Sequence, residues 1–368
     1  MFDVKILNTT NKREWLEVLG RCNLKDPCYL PQYLQIYENL ENKEIFSNFG
    51  GQGVLFVYGD EKNMIIYPFF KRAISDLPFA TGKFAKLFDI ISPYGYGGPL
   101  AQIEDEALAE ELWRGFYSQF DMYCHTQLII SEFCRLQPIY ENHKSVIAYS
   151  GGITTKIGQV VYLDLTISEE EILANMEHSH RRKIRKALNN HDLVFNVIKY
   201  VDSSQSFYNL YTENMQRVGV ENKYLFPPSF FENAFQLLNE HISLNQISNL
   251  GIPCAQWVVL ENGDYAYSWL SATNMDFYNL SPNNLMVYEL CLALKTRGIK
   301  YFNLGGGRGA QKDSVYQFKA GFSKLFRDFY IYKKIYLQEE YNELVELLNS
   351  DHENTEYFFP KYRVSVAD

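Results

Sequence analysis

Hydrophobic and polar positions follow two different periods along the chain, and the order in which the periods change is itself informative. Residues 54–70, "VLFVYGDEKNMIIYPFF", set β-branched and aromatic residues on both sides of a polar turn, which predicts a hairpin. Residues 257–273, "WVVLENGDYAYSWLSAT", do the same around Asn262-Gly263, a dipeptide suited to the positive φ angles of a tight hairpin turn. After the first hairpin comes a glycine-tyrosine stretch, "SPYGYGGPL" (92–100), then a helical pattern over 104–123 and the strand-like "TQLIISEF" (126–133). After the second comes "NLSPNN" (279–284), then a helical pattern over 285–297 closed by Gly298, and the strand "KYFNL" (300–304). The same series of elements occurs twice, which predicts an internal duplication into two α/β units with mixed sheets. The flexible "YSGGITTKIGQ" (149–159) marks the boundary between them, and "QEEYNELVELLNS" (338–350) reads as an amphipathic helix before an extended tail, "YFFPKYRV".

Composition narrows the class. Hydrophobic residues make up 46% of 368, enough for a core, with no apolar run long enough to span a membrane. The start, "MFDVKILNTTNKREW", lacks the basic, apolar and small-residue regions of a secretory signal, so a cytoplasmic location is expected. Six cysteines are scattered without a CxxC pair and the histidines form no HExxH, so neither a disulfide scaffold nor a metal site is expected; "HSH" (178–180) reads as a solvated helical turn. A formal charge of −9 disfavours indiscriminate nucleic-acid binding but leaves room for a local basic site. The 28 Tyr and 26 Phe fit either a cleft that grips a large, partly polar ligand or simply an aromatic core.

Three stretches are candidates for chemistry. In the glycine-tyrosine stretch, Gly95, Gly97 and Gly98 permit close approach to the main chain and Tyr94 and Tyr96 supply rings; an ordinary surface loop is the competing reading. In "SEEEILANMEHSHRRKIRKALNN" (168–190), Ser168 and Glu171 fit a capping box, and Ile172, Met176, Ile184 and Leu188 can share one buried helix face. Five of the six residues from 181 to 186 are basic, a ridge able to hold phosphates or merely a solvated face. In "YFNLGGGRGAQKDSVYQFKAGFS" (301–323), a strand runs straight into Gly305-Gly306-Gly307 without the order of a P-loop. Lys319 follows, between Phe318 and Phe322, where an ammonium can stabilise developing negative charge or can snorkel to the surface.

Taken in order, "SPYGYGGP", "HRRKIRKA", "SPNNLMVYELCLALKTRGIKYFNLGGG", "VYQFKAGF" and "YFFPKYR" resemble the Fem-type (FemAB-like) peptidoglycan aminoacyltransferase family of the acyl-CoA N-acyltransferase (GNAT) superfamily. The resemblance implies tandem GNAT-like domains: a first over residues 1–153, completed by a returning C-terminal segment 326–368, and a second over 154–325. It implies attack of an amine on an activated acyl carbon without a covalent enzyme intermediate and without a tightly bound cofactor. The donor would be aminoacyl-tRNA or acyl-CoA. The acceptor would be a cell-envelope precursor, with peripheral contact if that precursor is membrane-linked, or an amino sugar or other small amine. Lys319 would contact the oxyanion or the donor, with Phe318 shaping the site. Tyr94, Gly95, Tyr96 and Gly98 would wall the acceptor, Arg182 and Arg185 would meet phosphate, and Tyr267, Asn303 and Gly305 to Gly307 would line the substrate. Two departures stand out: "SPNNLM" replaces the [QR]xxGx[GA] loop that grips CoA pyrophosphate, and no long coiled-coil arm is present. A duplicated fold that binds an envelope precursor without catalysis is the reading from another class.

Overall fold

The computed structural model describes residues 2–40, 46, 48–198, 204–219, 222–348 and 358–364. The chain forms two compact units. Unit 1 comprises Met1–Leu24, Cys28–Lys156 and Phe329–Asp368, and unit 2 comprises Lys25–Pro27 and Ile157–Asp328.

Unit 1 is built on β1 (Asp3–Asn8), β2 (Gln52–Gly59), β3 (Met64–Ala73), β4 (Phe88–Ile91), β6 (Ile129–Arg135) and the end of β13 (Leu325–Ile335), side by side in that order, with the short β5 (Leu100–Gln102) on β3. Every neighbouring pair is antiparallel except β4 and β6, which are parallel and joined through β5 and the helix Ala109–Thr126. That helix ends three residues later than its apolar pattern suggests, and Leu128 in the left-handed region (φ 55°) turns the chain into β6. It buries Leu112, Trp113, Phe116 and Phe120 against Phe56, Tyr67 and Phe69 of the sheet. The aromatic excess is therefore spent largely on cores: Trp15, Tyr33, Tyr37, Tyr67, Phe56, Phe116, Phe120 and Tyr362 are all fully buried.

The segment around Tyr362 and Arg363 is locked into unit 1. Asp89 on β4, wholly buried, accepts from Arg72 Nε (2.8 Å) and Arg363 Nε (2.5 Å), and Tyr362 donates to it at 3.2 Å. Burial alone would raise its carboxyl, but the Arg363 and Arg72 guanidiniums outweigh that and hold it below the usual range. The helix Gln338–Leu347 and the turn Lys361–Arg363 pack here through Tyr341, Leu344 and Tyr362, so the tail is a docked turn rather than an extended strand. Asn349, Ser350 and Tyr357 of the expected helix and tail lie outside the described residues.

Unit 2 repeats the plan. Its strands stand in the order β8 (Leu193–Ile198), β9 (Ile242–Asn249), β10 (Ile252–Asn262), β11 (Tyr265–Thr273), β12 (Tyr301–Gly305) and β7 (Ile153–Asp164, in this unit from Ile157). Again all pairs are antiparallel except the fourth with the fifth, β11 and β12, which are joined by the helix Pro282–Thr296. The duplication is thus present, but its register differs from the sequence reading. By position in the sheet, the hairpin at 54–70 matches β9 and β10, and the hairpin at 257–273 matches β3 and β4. A pattern of apolar residues identifies hairpins but not which pair of strands in a sheet each one is.

Candidate active site

The last rung of the parallel pair in unit 2 joins Tyr267 on β11 to Asn303 on β12; pairing stops there, while β11 continues to Thr273 and β12 to Gly305. Two irregularities accompany the break. The register of β10 on β11 shifts opposite Trp269, and that of β12 on β7 shifts between Asn303 and Gly305. Gly305 has φ 77°, a conformation that favours glycine, and its N–H donates to the buried Asn303 Oδ1 at 2.7 Å. Asn303 therefore fixes the bulge from which the triple glycine leaves the strand.

The next two glycines are needed for space. A Cβ on Gly306 would lie 2.8 Å from the Gln159 carbonyl oxygen, and one on Gly307 would lie 2.0 Å from the Gln311 carbonyl oxygen. The chain folds back tightly and restarts as the helix Ser314–Ala320, whose first turn is capped by Asp313: Oδ1 accepts from Tyr316 N (2.9 Å) and Oδ2 from Arg308 Nε (3.0 Å). This return brings Lys319 over the glycines, where Nζ donates to the Gly306 carbonyl at 2.8 Å. Lys319 thus does not snorkel to the surface. Desolvation of its ammonium lowers its pKa to about 8, against a smaller opposing pull from Asp313. Phe318 packs on Phe322 with ring centroids 5.0 Å apart.

The segment read as one basic helix is two. Ser168 and Glu171 form the expected capping box, but Met176 is extended (ψ 153°) and separates Glu169–Asn175 from His178–Leu188. Arg181 occupies the break, its Nη1 donating to the carbonyls of Ala174 (2.8 Å) and Met176 (2.6 Å), so it caps the first helix and does not join an anion-facing ridge. Ile172, Met176 and Ile184 are buried as expected; Leu188 is 42% exposed because the break changes the phase of the face. Arg182 and Arg185 are exposed on the second helix. His180 is not a solvated turn residue: it is buried, and its Nε2 meets the Phe318 carbonyl at 2.9 Å.

Unit 2 therefore brings together Tyr267, Asn303, Gly305, Gly306, Gly307, Phe318 and Lys319, with the Arg182 and Arg185 helix docked beside the last two. Tyr94, Gly95, Tyr96 and Gly98 belong to unit 1. There Tyr96 is buried against Phe329, the Gly98 carbonyl accepts from Tyr29 Oη (2.6 Å), and the Tyr94 carbonyl accepts from Tyr33 Oη (2.7 Å). A Cβ on Gly98 would come 2.7 Å from Asn142 Nδ2 and 2.8 Å from Leu136 Cδ2, so its glycine is required by the fold of unit 1 itself. Sequence reasoning missed Asp313 and His180. The first has a readable signal, an N-cap aspartate before a helical run; the second has none, since its partner lies 138 residues away.

At the start of the helix Pro282–Thr296, Pro282 offers no N–H, and the amides of Asn284 and Leu285 both return to the Ser281 carbonyl (3.0 and 3.3 Å). The Asn284 amide is thus turned back on the chain, and Ser281 takes a left-handed conformation (φ 57°). Asn284 is buried with no hydrogen-bond partner for Nδ2. All six cysteines are buried as thiols outside any disulfide, no group of His, Cys, Asp and Glu among the described residues can hold a metal ion, and no described helix is long and apolar enough to cross a membrane.

Residues 174–319, ending on Lys319, match the family described as Acetyltransferase (GNAT) domain. No curated protein sequence matches. Among solved structures, FemX is 12% identical with a TM-score of 0.61, covering 85% of this chain and 97% of its own. A C-terminal domain (DUF2156) described as that of a lysylphosphatidylglycerol synthetase from Agrobacterium fabrum is 13% identical with a TM-score of 0.54, covering 88% of this chain and 92% of its own. A conserved protein of unknown function from Bacteroides thetaiotaomicron is 10% identical with a TM-score of 0.54, covering 90% and 99%. Residues 174–319 therefore carry a GNAT acetyltransferase domain, that of an acyltransferase, within a chain that shares its fold with FemX.

Proposed function

We propose that the chain forms an amide between an activated aminoacyl or acyl group and an amine of a cell-envelope precursor, with aminoacyl-tRNA as donor. The observation that carries this reading is Lys319: a desolvated ammonium tethered to the Gly306 carbonyl, at the point where β11 and β12 cease to pair. The acceptor nitrogen attacks the carbonyl carbon of the donor ester, a C–N bond forms, and the C–O bond to the ribose breaks. The nitrogen's proton leaves through water and the ribose oxygen takes one up. Between those events the carbonyl oxygen carries negative charge, and Lys319 is the group placed to offset it. Arg182 and Arg185, exposed on the neighbouring helix, are suited to donor or acceptor phosphate.

The first turn of Pro282–Thr296 supports the choice of donor, because a CoA pyrophosphate is ordinarily held by free amides at such a turn, and here Pro282 has none and the Asn284 amide is bonded to Ser281. The name of the Agrobacterium relative, which joins an aminoacyl group to a lipid, points the same way. A second reading, acyl-CoA as donor to an amino sugar or small amine, is favoured by the match to the acetyltransferase domain. Incubating the protein with alanyl-tRNA or with radiolabelled acetyl-CoA, each against muropeptide precursors and amino sugars, separates the two. Transfer from alanyl-tRNA alone supports the first reading, and transfer from acetyl-CoA alone replaces it with the second. No transfer from either donor overturns both.

A further inference from the structure

The helix that carries Lys319 is only seven residues long, Ser314–Ala320, too short to hold a side chain in place by itself. Its start is fixed by Asp313. Its end is fixed from another element, the helix His178–Leu188. His180 Nε2 lies 2.9 Å from the carbonyl oxygen of Phe318, the residue before Lys319; a carbonyl only accepts, so Nε2 carries the proton and Nδ1 faces Ser179 Oγ at 3.3 Å. The imidazole also packs edge-on against Phe322 (4.3 Å between centroids) and tilts on Phe318 (5.5 Å). One residue past the end of that helix, the Gly321 carbonyl accepts from the Glu177 amide at 2.8 Å.

Gly321 shows how tightly the two elements meet. Its φ of −68° is open to any residue, yet a Cβ there would lie 2.6 Å from His180 Nε2 and 2.8 Å from Cε1. The glycine is needed for the imidazole and for nothing in its own backbone. His180 thus fills the one space that lets the last turn of the Lys319 helix seat on the basic helix, and it satisfies a carbonyl that a helix end leaves open.

We propose that His180 is a positioning residue, which through the Phe318 carbonyl sets the place of the Lys319 ammonium over Gly306. The proposal rests on Lys319 acting in transfer. His180 itself is buried beneath the helix and touches no reacting atom. The charged groups facing the pair are Glu177 and Lys183 near the imidazole, and Asp313, bound to Arg308, near the ammonium.

Competitive acetylation with acetic anhydride, read by peptide mass spectrometry from about pH 6 to pH 11, reports the protonation of Lys319 without any substrate. The wild-type amine should titrate near 8. In His180→Ala, and equally in Gly321→Ala, which displaces the ring without removing it, the freed amine should titrate toward the ordinary lysine value. Turnover with the preferred donor should fall roughly 10- to 100-fold in kcat with KM little changed, and His180→Gln, which keeps a donor at that distance, should recover most of it. An unmoved Lys319 titration with unchanged kcat in both alanine variants overturns the proposal. If Lys319→Ala keeps full turnover, the catalytic reading of Lys319 is what fails, whatever the labelling shows; should His180→Ala not fold, Gly321→Ala alone decides.

Discussion

The two units share a strand order and a pattern of parallel and antiparallel pairs, but they treat the junction after the parallel pair in opposite ways. In unit 1, β4 and β6 stay zipped past their ends. Ser92 N donates to Phe133 O (3.0 Å), Gly97 N donates to Arg135 O (2.8 Å), and Gly97 makes a parallel bridge with Leu136. In unit 2 the corresponding strands, β11 and β12, stop pairing at Tyr267 and Asn303, and a lysine is brought to the opening. The glycine-tyrosine stretch is the material that closes the first junction. The comparison teaches that one scaffold can end its parallel pair in two ways: in unit 1 the backbone groups satisfy one another and the junction closes, and in unit 2 a bulge leaves them apart beside Lys319.

The comparison can be broken most severely at Asp89. Asp89→Asn leaves Arg72 and Arg363 buried beside a neutral amide, and should destabilise unit 1 by about 3–5 kcal/mol in denaturant melts, while transfer per folded molecule is retained. The same contact sets an acid limb. Because the Asp89 carboxyl is held below its unfolded value, its contribution is full above the unfolded carboxylate range and is lost as the pH falls through the folded one. Lys319→Met should do the converse, cutting transfer roughly 100- to 1,000-fold with the melting transition of unit 1 unmoved. Gly98→Ala, forced into φ 90° against Asn142 and Leu136, should lower stability by about 1–3 kcal/mol and leave the Lys319 titration unchanged. The smallest effect is in pH. If the Lys319 ammonium acts in transfer, the rate should decline as the pH passes about 8, roughly tenfold per further pH unit, and a flat profile to pH 10 would separate Lys319 from the chemistry.

Much of this plan was legible in the sequence, and the limits are instructive. Hairpins, capping box and crossover helices follow from local periodicity and side-chain chemistry, and Asn262-Gly263 turns as its residues require, with Gly263 at φ 58°. The repeat was visible because both halves show the same alternation, yet its strand correspondence was not, since pairing partners are chosen by the whole sheet. Lys319 stood out as a cation among aromatics, but its return to Gly306 depends on the carbonyls of Gln159 and Gln311 and the carboxylate of Asp313, contacts that no spacing encodes. The glycines at 97 and 98 look identical in sequence to those at 305–307. Only the neighbours of each Cβ show that the first pair packs against Ser92, Leu136 and Asn142, and that Gly306 and Gly307 pack against Gln159, Gln311 and Asp313.

The source of each unit's sixth strand has a consequence for biosynthesis. Unit 2 is complete once residue 328 has been made, whereas β6 of unit 1 gains its antiparallel partner only from residues 331–335 of β13. A nascent chain leaving the ribosome can therefore close its second unit before its first, reversing the usual N-to-C order, and until then carries an apolar, unpaired β6 margin as its point of vulnerability to misassociation.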